Sequence, residues 1–403
     1  MAETWTDARL GDGISLVSGQ HIDAADYGDD PSGVPYITGP ADFPDGRVVV
    51  TKYTHVPKTR CSAGDILLTV KGSGTGKLAM ADDDYCISRQ LMAVRPKEWD
   101  SAFVFYTLER LTDEMRRAAV GFIPGIKRSD VLDATLPLPP LPEQRKIAAI
   151  LSSVDEAIEA TQAVIDQVQV VKKGLMQELL TNGLPGRHKK FKQTEIGQIP
   201  EEWEVVEGAE LFKLYGGYGP SSIVFADGEE GDSLFIKVNA FNMPENRRWI
   251  RVGEQSFDSA ANSKIRTYAD GHLVFPKRGA AIFKNRVRLL LRATAVDPNL
   301  MVLAPLADLN PQFFRYLLLW IGLFNLSDNS GIPQLNNKHL YPRKFPIPGR
   351  VEQDAIADVL ARTDDRLETE AQGLVRLSQL KSALMSVLLT GELRVRTEAT
   401  GGD

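Results

Sequence analysis

A glycine-rich segment is the first feature of this chain that suggests chemistry. The sequence KGSGTGKLAM, at residues 71–80, combines closely spaced glycines with two lysines, as phosphate-binding loops do. A Walker A motif, however, would need a glycine where this chain has Lys71 and a Ser or Thr where it has Leu78. The spacing therefore argues against a nucleotide site. Two interpretations remain: a turn between strands, or a loop whose lysines contact a nucleic-acid backbone.

Patterns typical of catalytic and metal sites are missing from the sequence. The five histidines show no HExxH spacing, and the two cysteines form no CxxC pair. There is no GxSxG elbow, and DPNL at 297–300 only approaches the (N/D)PP(Y/F) tetrapeptide of amino-methyltransferases. We expect the paired carboxylates Asp364 and Asp365, on a helical repeat, to be solvated. The sequence thus predicts a binding protein with no catalytic residues and no metal site, and a hidden enzyme is the disfavoured alternative.

Composition and length limit the class of protein. With 43% hydrophobic and 25% charged residues, the 403-residue chain has the make-up of a soluble protein of two or three domains. It has no apolar run long enough to cross a membrane, no secretory signal in MAETWTDARL, and only Cys61 and Cys86 as cysteines. We therefore expect a cytoplasmic protein that does not span a membrane.

The net charge of −6 does not by itself exclude nucleic acid as a partner, because the charges are unevenly distributed. Acidic residues concentrate in segments 143–180 and 352–370. Elsewhere there are dense basic stretches, such as the one that contains Arg278, Lys284, Arg286 and Arg288.

The chain contains a long internal repeat. The segment PLPPLPEQRKIAAILSSVDEAIE begins at Pro137, and PIPGRVEQDAIADVLARTDDRLE begins at Pro346, an offset of 209. At this offset, 13 of the 39 positions from Glu143 to Thr181 are identical. The alignment extends upstream, where GFIPGIK at 121–127 faces SGIPQLN at 330–336. The chain is therefore two copies of one unit, each a variable region followed by a helical one.

Each helical region carries the alternating four- and three-residue spacing of a coiled-coil seam. The apolar seam residues, which we expect to pair the helices, are Ile147, Leu151, Val154, Ile158, Ile165, Val168, Leu175 and Leu179 in the first copy and Ile356, Leu360, Leu367, Leu374, Leu377, Leu384 and Leu388 in the second. Lys172 and Lys381 occupy matched polar seam positions. They are either register devices or solvent-exposed residues at frayed helix ends.

Prolines before each seam, and Gly183 and Gly391 after it, predict helices of roughly 35 residues, about 50 Å long. Two such seams in one chain most simply bury each other. The alternative is that each helix packs separately on its own domain.

The variable regions, 1–136 and about 188–345, are predicted to be mixed α/β. The runs RVVVTKY, DILLTV, HLVFP and VRLLLRA are typical of strands, and a later helix is predicted around 98–119 and again around 310–326. GDILLTVKGSGTGK at 64–77 corresponds in place to DGHLVFPKRGAAIFK at 270–284.

The predicted architecture is α+β: two α/β recognition domains separated by a pair of long helices, a coiled-coil spacer, in a pseudo-two-fold repeat. The predicted segments are a first domain, a central helical region, a second domain, a C-terminal helical region and a disordered tail, at 1–136, 137–187, 188–345, 346–396 and 397–403.

In this order, these motifs resemble the specificity subunits of Type I restriction–modification enzymes along essentially the whole chain. The resemblance rests on the two hinges at 137–144 and 346–353, the opening tryptophans Trp5 and Trp203, and GDILLT at 64–69. One departure is the GRV sequence at 349–351, where the first copy has Pro-Leu-Pro. This departure affects only the expected rigidity of that turn.

The resemblance implies a function and a set of partners. Each variable region would be a target recognition domain that reads one half of a split site in double-stranded DNA, with an unread gap of roughly 5–9 base pairs. The helices would pair antiparallel and fix the distance between the domains. Two methyltransferase (M) subunits and restriction (R) subunits would dock on this scaffold. S-adenosylmethionine, ATP and magnesium would be bound by those partners, so no cofactor is expected in this chain.

Basic and amide side chains in matched loops are the expected DNA contacts, with cations on phosphates and Arg, Lys, Asn and Gln on base edges. They are Lys71, Ser73, Thr75, Lys77, Lys127 and Arg128 in the first domain and Lys277, Arg278, Lys284, Asn285, Arg286, Gln334, Asn336, Asn337 and Lys338 in the second.

Two further alternatives remain open at this point. One is a related specificity half in a different restriction–modification assembly, for example a fused or two-component methyltransferase system without translocation. The other is an adaptor whose paired helices hold two protein-binding domains.

Overall fold

A computed structural model describes residues 5–44, 46–118, 125–226, 231–306, 308–328 and 331–396. Contacts divide the chain into two compact units. Unit 1 comprises Met1–Ala163 and Ala371–Asp403, and unit 2 comprises Val164–Glu370. Each unit thus holds one variable region, the first part of the long helix that follows it, and the last part of the other long helix. The tail predicted to be disordered, 397–403, lies outside the described residues.

The first half of the chain contains eleven described strands and four described helices. The strands are β1 (Thr6–Arg9), β2 (Ile14–Ser18), β3 (Tyr27–Gly28), β4 (Val34–Ile37), β5 (Tyr53–Thr54), β6 (Arg60–Cys61), β7 (Ile66–Thr69), β8 (Leu78–Met80), β9 (Tyr85–Ile87), β10 (Leu91–Pro96) and β11 (Thr135–Leu138). The helices are α1 (Leu10–Gly13), α2 (Ser101–Ala118), α3 (Arg128–Leu132) and α4 (Leu141–Thr181).

The second half contains twelve described strands and four described helices. The strands are β12 (Phe191–Thr194), β13 (Gly197–Pro200), β14 (Glu204–Glu207), β15 (Phe212–Gly216), β16 (Ser233–Ile236), β17 (Trp249–Ile250), β18 (Gln255–Phe257), β19 (Leu273–Pro276), β20 (Arg288–Leu290), β21 (Thr294–Val296), β22 (Leu300–Pro305) and β23 (Lys344–Ile347). The helices are α5 (Gly208–Leu211), α6 (Pro311–Ile321), α7 (Asn337–Leu340) and α8 (Arg350–Leu388).

The two variable regions repeat one sheet topology. The antiparallel order β2-β10-β7-β8 of unit 1 recurs as β15-β22-β19-β20 in unit 2. The parallel pair β4 and β9 recurs as β16 and β21, and the antiparallel pair β1 and β11 recurs as β14 and β23. The correspondence predicted between segments 64–77 and 270–284 is confirmed, because β7 and β19 occupy the same place in this order.

Most of the predicted strands are present. DILLTV contains β7, HLVFP contains β19, and VRLLLRA contains β20. The prediction for RVVVTKY is wrong at residues 47–52, where the chain is not extended in a sheet. These residues have high β propensity, but their bonds do not form a ladder: the Lys52 carbonyl accepts from the Tyr36 amide of β4 at 2.8 Å, and the Val49 amide donates to the Asp42 carbonyl at 2.7 Å. The Val49 side chain is exposed. Only the end of the run, β5, is paired.

The helices agree closely with the sequence prediction. Helices α4 and α8 contain 41 and 39 residues, and α2 and α6 lie within the predicted stretches. Gly183 and Gly391, just beyond the ends of α4 and α8, both have a φ of 78°, a left-handed conformation that favours glycine at a helix end. Among the described helices, none is long and apolar enough to cross a membrane.

The ends of the helix seams are buried inside each unit, whereas seam residues nearer the middle, such as Ile158 and Leu367, are half-buried. In unit 1, Ile147 and Leu151 of α4 share a core with Leu388 of α8 and with Phe103 of α2. In unit 2, Leu179 of α4 packs in one core with Ile356 and Leu360 of α8. The start of one helix meets the end of the other in both cores, so the pairing is antiparallel. Because these side chains are covered within their own unit, their role in docking partner subunits stays a prediction.

The polar seam lysines are register devices rather than exposed residues at frayed ends. In unit 1, Lys381 lies 2.9 Å from Asp155 and 2.9 Å from Glu109. In unit 2, Lys172 pairs with Asp364. The two lysines occupy equivalent positions of the repeat, and so do the two aspartates. The same ion pair therefore occurs once in each unit.

The expectation that Asp364 is solvated is wrong. Its side chain is only 16% exposed, and it accepts a 2.7 Å hydrogen bond from Tyr316 and lies 3.4 Å from Arg315. Burial raises the pKa of Asp364, but Lys172 and Arg315 outweigh burial and hold the pKa below its usual value. The neighbouring Asp365 is 61% exposed, as expected.

We predict that Asp364→Asn destabilises the protein far more than Asp365→Asn. The first change leaves the half-buried Lys172 and the buried Arg315 without a carboxylate and should lower the free energy of unfolding by about 2–4 kcal/mol. The second removes an exposed ion pair with Arg248 and should cost less than about 1 kcal/mol. Urea unfolding followed by circular dichroism measures both, and equal losses would contradict the buried pairing.

Candidate nucleic-acid interface

The glycine-rich loop of unit 1 is a tight turn between two antiparallel strands. It connects β7 to β8, and Gly72 and Gly76 both have positive φ. The Thr75 hydroxyl donates a 2.6 Å hydrogen bond to the Gly72 carbonyl, and the Gly76 amide donates one of 2.8 Å to the Thr69 carbonyl. These bonds close the loop on itself. The lysines on either side of the turn, Lys71 and Lys77, are exposed.

The segment before each hinge hydrogen-bonds to this loop or to its counterpart. In unit 1 the Ile126 amide donates to the Val70 carbonyl at 3.0 Å. In unit 2 the Leu335 amide donates to the Lys277 carbonyl at 2.9 Å. Ile126 and Leu335 are equivalent positions of the repeat, so the bond is the same in both units. The structure therefore brings together the two groups of candidate residues that the sequence analysis selected separately in each domain.

We call these groups the first loop cluster, residues 70–77 with 125–128, and the second loop cluster, residues 277–287 with 331–338. In the second cluster the Gly279 amide also donates to the Pro333 carbonyl at 3.0 Å, and Arg278 pairs with Gln334 in a β-bridge. The candidate residues that are exposed are Lys71, Ser73, Lys77, Lys127 and Arg128 in the first cluster and Arg278, Lys284, Asn337 and Lys338 in the second. Lys277, Gln334 and Asn336 are half-buried.

Two candidates of the first cluster have internal partners. Thr75 is buried and closes the turn, so it is not displayed to a ligand. The Arg128 guanidinium donates to the Leu16 carbonyl at 3.2 Å and to the Ser18 hydroxyl at 3.0 Å. Because Arg128 is itself exposed, its remaining N–H groups can still face a ligand.

Two candidates of the second cluster also support the fold. The Asn285 side chain donates to the Leu319 carbonyl at 2.8 Å and accepts from the Leu323 amide at 3.0 Å. Asn285 also has a φ of 47°, a conformation that asparagine tolerates better than most residues. The Arg286 guanidinium donates to Phe241 and Asn242, at 2.7 Å each. We therefore assign both residues to shaping the loop.

The second loop cluster is strongly positive. Residues 271–296 contain six Lys and Arg residues and no Asp or Glu. Burial lowers the pKa of Lys277, and the nearby Arg278 lowers it further, against an opposing effect of Asp297. Arg288, grouped with the basic stretch from sequence, is directed inward, since its Nε donates to the Asn246 carbonyl at 2.6 Å. Burial lowers the pKa of Arg288 to about 10, and repulsion from Arg315 contributes.

A buried glutamate attaches the variable region of unit 1 to the long helices. Glu143, in the first turn of α4, accepts hydrogen bonds from the Trp5 indole at 2.9 Å and from Arg394 through two bonds of 2.8 Å. The Val395 amide adds a bond of 3.1 Å. Burial raises the pKa of Glu143, but these donors outweigh it and lower the pKa. The first described residue of the chain and the segment after α8 thus meet at one carboxylate.

Unit 2 repeats this arrangement with a histidine. Glu352, in the first turn of α8, accepts from the Trp203 indole at 3.2 Å, and His188 lies 2.8 Å away through Nε2. The other ring nitrogen of His188 lies 2.6 Å from Glu202. Burial lowers the pKa of His188, but the two carboxylates outweigh it and raise the pKa.

The neighbouring glutamines position the helix of each variable region. Gln144 accepts from the Asp100 amide just before α2, at 3.0 Å, and Gln353 accepts from the Asn310 amide before α6, at 2.8 Å. Each glutamine also donates to a hinge proline carbonyl at 2.9 Å, Pro139 for Gln144 and Pro348 for Gln353. Each Glu-Gln pair therefore connects the hinge, the variable region and the long helix.

Sequence reasoning found the Glu-Gln pairs as motifs but missed their structural role. The available signal was their recurrence in both copies of the repeat together with an opening tryptophan in each copy. Within the described part of the chain, no three His, Cys, Asp or Glu side chains are grouped so as to hold a metal ion.

The sequence is similar to proteins of one functional class. Residues 2–170 match the family model of the Type I restriction modification DNA specificity domain. The chain is 25% identical to the Type I restriction enzyme MjaVIII specificity subunit of Methanocaldococcus jannaschii, over 98% of this chain and 94% of that protein. It is 22% identical to the Type I restriction enzyme EcoDI specificity subunit of Escherichia coli, over 82% of this chain and 79% of that protein.

Two solved structures share the fold along nearly the whole chain. The S subunit of a Type I restriction–modification system from M. genitalium superposes with a TM-score of 0.59 at 16% identity, covering 96% of both chains. A chain from a structure that addresses complex assembly and conformational transition of the type I R-M system gives 0.60 at 17% identity, covering 98% of this chain and all of that one. These likenesses confirm the predicted mixed α/β fold with two long helices.

We predict that His188 stabilises the protein most at low pH. When folding raises the pKa of a histidine, its full contribution to the free energy of unfolding is present below the unfolded pKa of about 6.5. This stabilisation is lost as the pH rises through the folded pKa. The melting temperature of the wild type should therefore fall between pH 6 and pH 9 more steeply than that of His188→Gln. Differential scanning calorimetry across this range tests it, with exposed His21→Gln as the control that keeps the wild-type profile. Parallel profiles for wild type and His188→Gln would refute it.

Proposed function

We propose that this chain, a member of the Type I restriction–modification specificity-subunit family, selects the DNA sequence on which its partner subunits act. The observation that carries the proposal is the repeated loop cluster. The same backbone bond occurs from Ile126 to Val70 in unit 1 and from Leu335 to Lys277 in unit 2. In each unit it holds together two diverged segments that carry exposed lysines or arginines. Such loops on a repeated framework suit two different half-sites in one duplex.

The chemistry of the exposed side chains supports a division of roles. We infer that Lys71, Lys77 and Lys127 in unit 1, and Arg278, Lys284 and Lys338 in unit 2, contact phosphates. Cations on phosphates provide affinity and register, whereas base edges are read by side chains that enter a groove. Asn337 and Gln334 have the donors and acceptors that recognise adenine in the major groove.

The long helices support a split target. A helix of 41 residues is about 60 Å long, whereas one turn of duplex DNA rises about 34 Å. We infer that the paired helices set the separation of the two half-sites and leave several base pairs unread between them. Faces of these helices outside the seam would bind two methyltransferase subunits, and restriction subunits would join that core. S-adenosylmethionine, ATP and magnesium would be bound by the partner subunits.

The phosphate contacts can be tested by salt dependence. Arg278→Ala with Lys284→Ala, in the complex of this chain with its methyltransferase subunits, should weaken duplex binding and reduce the slope of log K against log salt by about 1.8. Arg343→Ala with Lys344→Ala removes the same charge outside the loop clusters and should leave the slope unchanged. Fluorescence anisotropy with a labelled duplex measures both. An unchanged slope for the first variant would remove these two residues from the DNA surface.

The split target can be tested in cells. Single-molecule methylation mapping of a genome that expresses the chain with its methyltransferase subunits should give one motif in two parts separated by unspecified bases. Replacing loop 277–287 should then change one part of the motif and leave the other unchanged. A continuous motif would contradict the two-module arrangement. Failure of the assembled complex to bind or methylate any duplex would favour the adaptor alternative.

A further inference from the structure

An aromatic side chain is displayed in the middle of the second loop cluster. Phe283 is 58% exposed, although a phenylalanine normally buries most of its surface. It lies next to the exposed Lys284, within the stretch 271–296 that contains no acidic residue. An exposed aromatic ring among cations, with no carboxylate nearby in sequence, suits a polyanionic partner that also has apolar flat surfaces.

The ring is held in a fixed position rather than carried on a loose loop. Its centroid is 4.8 Å from that of Phe324, with the two planes inclined by 30°. The preceding residue, Ile282, is completely buried. The residue after Lys284, Asn285, ties the loop to the backbone of Leu319 and Leu323. The apolar ring is therefore already ordered before any partner binds, which lowers the entropy cost of a contact.

The loop that carries Phe283 differs from its counterpart in unit 1. Between equivalent strands, unit 2 has the residues 277–287, whereas unit 1 has the shorter loop 70–77, which contains no aromatic residue. Both loops receive the same backbone bond from the segment before the hinge. The longer loop of unit 2, with its aromatic residue, therefore lies where the two units share their backbone framework but differ in their exposed side chains.

We propose that Phe283 is a base-contacting residue of unit 2: its ring enters a groove of duplex DNA and partly unstacks a base step. The proposal rests on the proposed function and adds a residue that contributes to specificity through base stacking and DNA shape. The neighbouring cations, Arg278 and Lys284, would hold the phosphates on either side. Apolar side chains that insert in this way unstack base steps, and sequences differ in how easily they unstack.

The test uses the complex of this chain with its methyltransferase subunits and a duplex that carries its mapped target. Phe283→Ala should weaken binding on the order of tenfold, the loss expected for one aromatic contact with a base. The salt slope should stay at the wild-type value, because no phosphate contact is lost. Phe283→Trp should bind close to wild type. Val224→Ala removes another exposed apolar side chain of unit 2, outside the loop cluster, and should have no effect.

A second measurement reports the unstacking directly. With 2-aminopurine at adenines other than the methylated one, the wild-type complex should raise the fluorescence at a step in one half-site, and Phe283→Ala should abolish this increase. Wild-type affinity for Phe283→Ala, or a fluorescence increase that survives the change, would overturn the proposal. Loss of methyltransferase assembly in Phe283→Ala would also overturn it, because the ring would then belong to a protein interface. Absence of DNA binding by the wild-type complex would instead count against the proposed function.

Discussion

A buried carboxylate at the start of each long helix determines how its unit is assembled. Glu143 and Glu352 are nearly inaccessible to solvent, and each is surrounded by donors from segments far apart in the chain. A buried charge is tolerated only when its hydrogen bonds are satisfied, so neither the opening tryptophan nor the segment after the other helix can be displaced without leaving the carboxylate unpaired. The adjacent glutamines extend this constraint to the N-termini of α2 and α6. The sheets and helices that carry the loop clusters are thus hydrogen-bonded, directly or through neighbouring segments, to the Glu-Gln pair of their own unit.

The two units meet this constraint with different chemistry. In unit 1 the cation beside the carboxylate is Arg394, which is charged at any physiological pH and lies with its guanidinium 5.3 Å from the Trp5 ring centroid. In unit 2 Glu352 also has an arginine beside it, since Arg187 Nε lies 3.4 Å from Oε2, but His188 is added between Glu352 and Glu202, edge-on to Trp203. A histidine gives comparable hydrogen bonds, but its charge depends on pH. The repeat thus preserves the position of the acceptor more strictly than the identity of its donor.

The sequence predicted the long helices and their pairing well because that information is local. Residues spaced by three and four, such as Ile147 and Leu151, reveal a helix face without any knowledge of its partner. The environment of Asp364 was not predictable in this way, since Tyr316 and Arg315 approach it from α6, a separate element far away in the chain. The internal hydrogen bonds of the loop residue Asn285 were not predictable for the same reason, because its partners, Leu319 and Leu323, lie beyond the end of its loop. The run at 47–52 shows that β propensity alone does not predict a strand ladder, because these residues stay outside the sheet although Lys52 bonds to Tyr36 of β4.

The helical regions of the two copies are similar and their loops are diverged because the two kinds of segment are held by different kinds of hydrogen bond. The bond that recurs in both loop clusters joins backbone atoms, with the carbonyls of Val70 and Lys277 as acceptors, so the exposed side chains beside it can change without loss of that bond. Lys71 in one unit and Arg278 in the other can therefore differ at no cost to the framework. Other side chains, those of Thr75, Asn285 and Arg286, hold each loop individually. The hinge residues bond through their side chains, and replacing Glu143 or Glu352 would leave several donors unpaired. A recurring backbone bond on a frame held by side chains allows the exposed surface to change while the geometry is retained.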